Sequence, residues 1–166
     1  GSLKELFGVL QQAAGDARGQ FENSLTQIQY PDRGEFLAEL AQKMGQTSRL
    51  ASLEEIERLW FALQLEMTEL GNVEQLQTNV AGADGIETER TVTRVGAFNV
   101  VSDGKYLSYV PETGRLVEMG RQPSGRYLEL LESYEASSEP AAAFALDPSR
   151  GQILSLLVQS PDLKER

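Results

Sequence analysis

The chain has 166 residues, enough for one domain with a proper core, or one domain with an appended helix. Its 15 Lys+Arg against 25 Asp+Glu give a formal net charge of −10, which argues against nucleic acid and anionic membrane surfaces as partners. With no Cys and no His, it can hold no disulfide, thiol nucleophile, iron–sulfur cluster, thiolate or imidazole zinc site, or Ser-His-Asp triad. Carboxylate chemistry, a Ser-Lys dyad or no chemistry at all remain. Zero Cys fits either cytosol or a disulfide-poor periplasm. No run approaches the roughly 20 apolar residues that cross a bilayer. Gly1-Ser2, without an initiator Met, reads as a cloning remnant, so an excised piece of a longer protein is expected.

Residues 3–30 are predicted as one long helix. Leu3, Phe7, Leu10, Ala14, Ala17, Phe21, Ser24 and Ile28 fall alternately four and three apart, a coiled-coil-like seam thinned by Ala and Ser. It either packs on its own domain or ends a longer coiled coil. Pro31 is expected to stop it. Residues 31–166 are expected to form an α+β domain. Within it, residues 33–43 read as a short helix with Phe36, Leu37, Leu40 and Met44 inward, followed by a polar break at 45–49. Ser52-Leu53-Glu54-Glu55 is a capping box. The helix it opens, 53–70, carries Leu53, Ile56, Leu59, Trp60, Leu63, Met67 and Leu70 at helical spacing, with Gly71 as its stop. Trp60, the single Trp, reads first as a core anchor packing this helix on the sheet, and second as a contact residue.

Strands are expected across 73–119. Residues 73–81 and 86–95 form a polar hairpin around Ala83-Asp84-Gly85, placed at the sheet edge, and Gly96 marks a bend. Asp103-Gly104 is the dipeptide that closes a two-residue type I′ hairpin. That register sets Val101 opposite Tyr106, Val100 opposite Leu107 and Phe98 opposite Tyr109. Phe98, Val100, Leu107 and Tyr109 are then the better candidates for the buried face. Pro111-Glu112-Thr113-Gly114 is a second turn, leading into Leu116, Val117 and Met119. The predicted sheet is a small antiparallel meander of at least four strands, with the long N-terminal helix and other helical segments packed on it. C-terminal helices follow at 124–135 (Tyr127, Leu128, Leu131 and Tyr134 on one stripe) and 148–159. The second is capped by Asp147-Pro148 and apolar nearly all round, with Ile153, Leu154, Leu156, Leu157 and Val158.

Nothing here singles out a catalytic site. Acidic pairs such as Glu54 with Glu57, or Asp103 with Glu112, read as solvated faces. Lys4, Lys43, Lys105 and Lys164 lack a buried Ser-Lys context. No phosphate loop, GxGxxG, EF-hand spacing or HExxH occurs. No catalytic, cofactor or metal residue is assigned. Tyr106, Tyr109, Trp60, Leu154 and Leu157 are the candidate partner contacts.

Four stretches resemble the periplasmic region of extended, TonB-linked MotA/TolQ/ExbB proton-channel family proteins (the TtpC-like ones). They are LKELFGVLQQAAGD (3–16), IERLWFALQLEMTELGNV (56–73), RVGAFNVVSDGKYLSYVPETGRLVEM (94–119) and DPSRGQILSLLVQSPDLKER (147–166). The Trp-containing helix and the meander after it are the most specific part. The resemblance implies a non-enzymatic periplasmic domain without cofactors. Its parent would be anchored in the inner membrane by helices outside this chain. That parent would be a homo-oligomer working with ExbD-like and TonB-like envelope proteins to drive outer-membrane transport. A soluble periplasmic accessory protein of the same system shares the helix-then-meander plan and is the alternative. A cell-wall-binding module using the Tyr106 face, and a two-carboxylate glycosidase, are the rivals.

Overall fold

The computed structural model describes residues 2–46, 51–123 and 125–136, together with positions 153 and 156. It divides into two compact units, Gly1–Glu69 and Leu70–Arg166. The class is mixed α+β, as expected. Residues 137–152, and the helix expected at 148–159 other than its two described positions, lie outside the described residues.

The first unit is helical: α1 (Ser2–Glu22), a single 3₁₀ turn (Leu25–Ile28), α2 (Asp32–Gln46) and α3 (Leu53–Glu69). The helix expected across 3–30 is therefore two pieces. Ser24 makes the break, not Pro31. Its backbone is extended (φ −78°, ψ 134°) and its Oγ accepts from the Thr26 N–H, capping the 3₁₀ turn. The thin seam is core. Ala14, Ala17 and Phe21 are buried with Phe36, Leu37, Leu40 and Met44 of α2 and Leu59 and Ala62 of α3. The small residues let α1 and α2 approach closely, and Leu10 packs at the margin.

The second unit is a five-stranded closed barrel of β1 (Val73–Ala81), β2 (Glu87–Val95), β3 (Asn99–Ser102), β4 (Lys105–Val110) and β5 (Arg115–Glu118), followed by α4 (Gly125–Ala136). The strands follow one another antiparallel, as a meander does. The sheet then closes, because β1 pairs parallel with β5 at Val80↔Leu116 and Ala81↔Val117. An open meander with a hairpin at its edge is thus corrected to a barrel. A strongly twisted sheet of short strands can bring its first and last strands together, and closure pairs their edges.

The turns set the register. Asp103 and Gly104 both have positive φ, 52° and 69°, the requirement of a type I′ turn. Val100 accordingly faces Leu107 and Val101 faces Tyr106. Gly114 closes the next turn at φ 64°, its N–H bonded to the Val110 carbonyl. Gly96 turns β2 into β3 at φ 57°, and a Cβ there would lie 2.7 Å from the Leu70 carbonyl oxygen, so no other residue fits without backbone movement.

Both faces of the β3–β4 hairpin are buried. Val80, Val92, Val100, Leu107 and Leu116 share one face by register and are buried, as is Arg94, whose Nη1 donates to the Gly96 carbonyl at 2.6 Å. The opposite face is covered by α4: Val101 and Tyr106 pack on Leu131, with Leu128 and Met119 alongside. The Gln122 side chain pairs with both backbone groups of Tyr106, at 2.9 and 3.0 Å, and fixes the approach to α4.

Burial pushes the Tyr106 hydroxyl up from 10.0 to about 12. The unfolded chain releases this proton first, so the stabilising difference is complete below pH 10.0 and is lost as pH rises toward about 12. The expected loss is about 2–3 kcal/mol across that window. Urea denaturation on either side of it should show the fall, and Tyr106→Phe should make it shallower, the raised Tyr109 supplying the remainder. An equally steep fall in Tyr106→Phe would assign the effect elsewhere.

Candidate interaction surface

Helix α3 begins as the capping box requires. The Ser52 N–H donates to Glu55 Oε2 at 2.7 Å, and the Glu55 N–H donates to Ser52 Oγ at 3.2 Å. The Lys43 ammonium pairs with the same carboxylate and, with the Ser52 N–H, holds Glu55 below the usual carboxylate range.

The inward side of α3 departs from expectation. Leu59 and Ala62 are buried, but so are Glu66 and Glu69. Glu66 Oε1 accepts from Ser24 Oγ at 2.6 Å. Its Oε2 accepts from Thr26 Oγ1 at 2.7 Å and from Arg33 Nη1 at 2.9 Å. Arg33 Nη2 also donates to Thr26 Oγ1, and the guanidinium lies 4.2 Å above the Phe21 ring. Four polar side chains from three elements thus bond one another inside the unit, with Arg33 Nε buried and left without a hydrogen-bond partner. Glu69 accepts from Tyr30 Oη at 3.4 Å.

With carboxylates taking the inner stripe, large apolar residues are turned outward. Leu53, Trp60, Phe61 and Met67 are 73%, 60%, 65% and 65% exposed. This corrects the reading of Trp60 as a core anchor: a helical stripe has room for one set of residues, and Leu59, Ala62 and Glu66 occupy it. Beside Phe61 lies an open cleft of about 250 Å³, lined by Tyr30, Phe36, Arg58 and Leu65, with the Arg58 guanidinium 4.1 Å over the Phe36 ring. Exposed apolar side chains grouped on one helix mark a contact surface, unlike apolar residues scattered singly.

The other expected contacts fare differently. Tyr106 is 1% exposed beneath α4, so its ring is packed against the helix and not presented at the surface. Tyr109 is half-buried, and burial raises its pKa. Trp60 belongs to the helical unit and both tyrosines to the barrel unit. Leu154 and Leu157 lie outside the described residues.

The titratable groups of the barrel unit are structural. Glu118 accepts from Arg90 Nη1 at 2.7 Å, Lys105 Nζ at 3.1 Å and the Ala83 N–H at 3.3 Å, and the two cations hold it below the usual carboxylate range. Glu135 Oε2 accepts from the Gly104 N–H at 2.7 Å. Burial first, then Asp103 and Glu132, push it up against that bond. Glu54, Glu57, Asp103 and Glu112 are exposed. Among the described residues, no group of three or more Asp or Glu is placed to hold a metal ion, and no helix is long and apolar enough to cross a membrane.

Comparison with protein-family models, curated proteins and solved structures finds no match for this chain.

Proposed function

We propose that this chain is a non-enzymatic periplasmic domain of an ExbB/TolQ-like proton-channel subunit. In this reading it couples an inner-membrane motor to ExbD-like and TonB-like envelope partners. The observation that carries an interaction role is the outward row of α3. A helix whose buried side is held by a hydrogen-bonded ionic network presents Trp60, Phe61 and Met67 on a preorganised base. Preorganised aromatic anchors are what binding hot spots are made of. The resemblance supplies the system, because the 56–73 stretch includes Trp60, Phe61 and Met67. The absence of His and Cys from the sequence removes most catalytic alternatives.

The test is in the parent protein. Trp60→Ala, Phe61→Ala and Met67→Ala together remove surface rather than core, so protein level should hold while TonB-dependent uptake is lost. A central Trp anchor contributes about 2 kcal/mol or more to an interface. Undiminished uptake by the triple variant at normal abundance would sink the proposal.

A further inference from the structure

The outward side of α3 carries more order than exposure alone. Leu53, Ile56, Trp60, Leu63 and Met67 lie alternately three and four apart, the a/d spacing with which one helix seats another. Ile56 and Leu63 pack partly against the unit's own core. Leu53, Trp60 and Met67 are free of it and recur every seven residues, drifting only about 20° per heptad, so they make one straight row.

The row is symmetric about its centre. Leu53 precedes Trp60 by the same interval at which Met67 follows it. An isologous contact needs a surface that matches itself under a two-fold rotation. Two copies of α3 laid antiparallel about an axis through Trp60 set Trp60 against Trp60, and Leu53 of each copy against Met67 of the other. Glu57 then faces the uncharged Gln64.

We propose that this row is a self-association face, and that its occupant is a second copy of the same helix in antiparallel orientation. The inference deepens the interaction reading above and uses the same helix face. Charge selects the orientation. Glu54 and Glu57 are exposed on the first turns of α3, Glu55 being paired with Lys43, whereas the outward positions of its last turns are Gln64, Met67 and Thr68. A parallel pair stacks the acids of both copies, in a chain already at −10. The antiparallel pair sets acids against neutral residues and opposes the two helix dipoles. Size supports a modest contact. Three exposed apolar side chains per copy, with the edges of Ile56 and Leu63, bury less than about 1,000 Å² over both copies, below the usual range for a stable interface. Pairing is therefore weak between free chains and strong where copies are held near one another.

Sedimentation of the whole chain over a wide concentration range tests this. The mass should rise up to twofold, with the emission of the single Trp moving to shorter wavelength in step. Trp60→Glu should abolish the rise and leave the far-ultraviolet dichroism unchanged, because Trp60 packs on nothing in the core. A cysteine-free chain also permits clean cross-linking. Oxidising a mixture of Glu57→Cys and Gln64→Cys chains should join unlike chains. Cross-links only between Glu57→Cys chains would mean parallel pairing and would overturn the proposal, as would a dimer indifferent to Trp60→Glu. A chain that stays monomeric throughout ends self-association without touching the uptake test, and α3 would then serve a different protein.

Discussion

Replacing Glu66 with alanine is expected to destabilise the helical unit by about 3–5 kcal/mol, the range for breaking a buried ion pair from one side. Arg33 is the reason. Its side chain is 6% exposed, and Glu66 is the carboxylate that meets it. Removing that carboxylate leaves a guanidinium in a poorly hydrated place, with Ser24 and Thr26 each losing an acceptor. Chemical denaturation followed by helical dichroism reads the loss. The informative control is the double variant Arg33→Met with Glu66→Leu. It removes both charges, keeps volume, and leaves Ser24 Oγ and Thr26 Oγ1 bonded to each other at 2.9 Å. It should recover most of what the single variant loses, since a buried pair contributes little net stability beyond an apolar equivalent. A single variant losing less than about 1 kcal/mol would place water within reach of Arg33.

The second large effect is expected from Leu131→Ala, about 2–5 kcal/mol. Leu131 is fully buried and is the residue of α4 that Val101 and Tyr106 close over. Truncating it opens a cavity between α4 and the outer wall of the barrel. The interior row of Val80, Val92, Val100, Leu107 and Leu116 is untouched. The loss should therefore be local. Amide exchange should accelerate first across 125–136, with β2 and β3 staying protected. Equal acceleration in the strands would show that the barrel and α4 form one cooperative unit.

Much of this architecture is written locally. Asp103-Gly104 dictates a turn because few dipeptides tolerate two positive φ angles, and the pairs of β3 with β4 follow from it. Ser52 and Glu55 announce a helix start through reciprocal bonds only three residues apart. Phe36, Leu37, Leu40 and Met44 place α2 by period alone. What escaped depends on distant partners. A glutamate at position 66 looks solvent-facing until Ser24, Thr26 and Arg33 arrive from a different part of the chain. Once it turns inward, Trp60 must turn outward, so the two surprises on α3 are one. Hydrophobic period ranks faces by apolar content: it placed Leu59, Ile56 and Leu63 against the core and wrongly added Leu53, Trp60 and Met67. Burial of Tyr106 likewise depends on α4, 20 or more positions downstream. Barrel closure depends on a parallel pairing that no turn residue signals.

That closure has a consequence for how the barrel holds together. Its first two strands share nine residue pairs, but the seam between β1 and β5 rests on two. So short a ladder supplies few hydrogen bonds, each contributing roughly 0.5–1.5 kcal/mol net. The buried Val80 and Leu116 side chains fasten the seam from inside, and ionic links add to it from the strand ends. Glu118 reaches from β5 to Arg90 and to the Ala83 N–H, and Arg115 pairs with Glu87 at 3.0 Å. These links strap both ends of β5 to the β1–β2 hairpin beside the seam. The Glu118 share is present above the ordinary carboxylate pKa and fades as pH falls through its lowered folded value, and salt weakens both straps. The cylinder thus behaves as a sheet with an electrostatic clasp. Acid and salt together should weaken it, and faster amide exchange at the edges of β1 and β5 than in the hairpins is the expected sign.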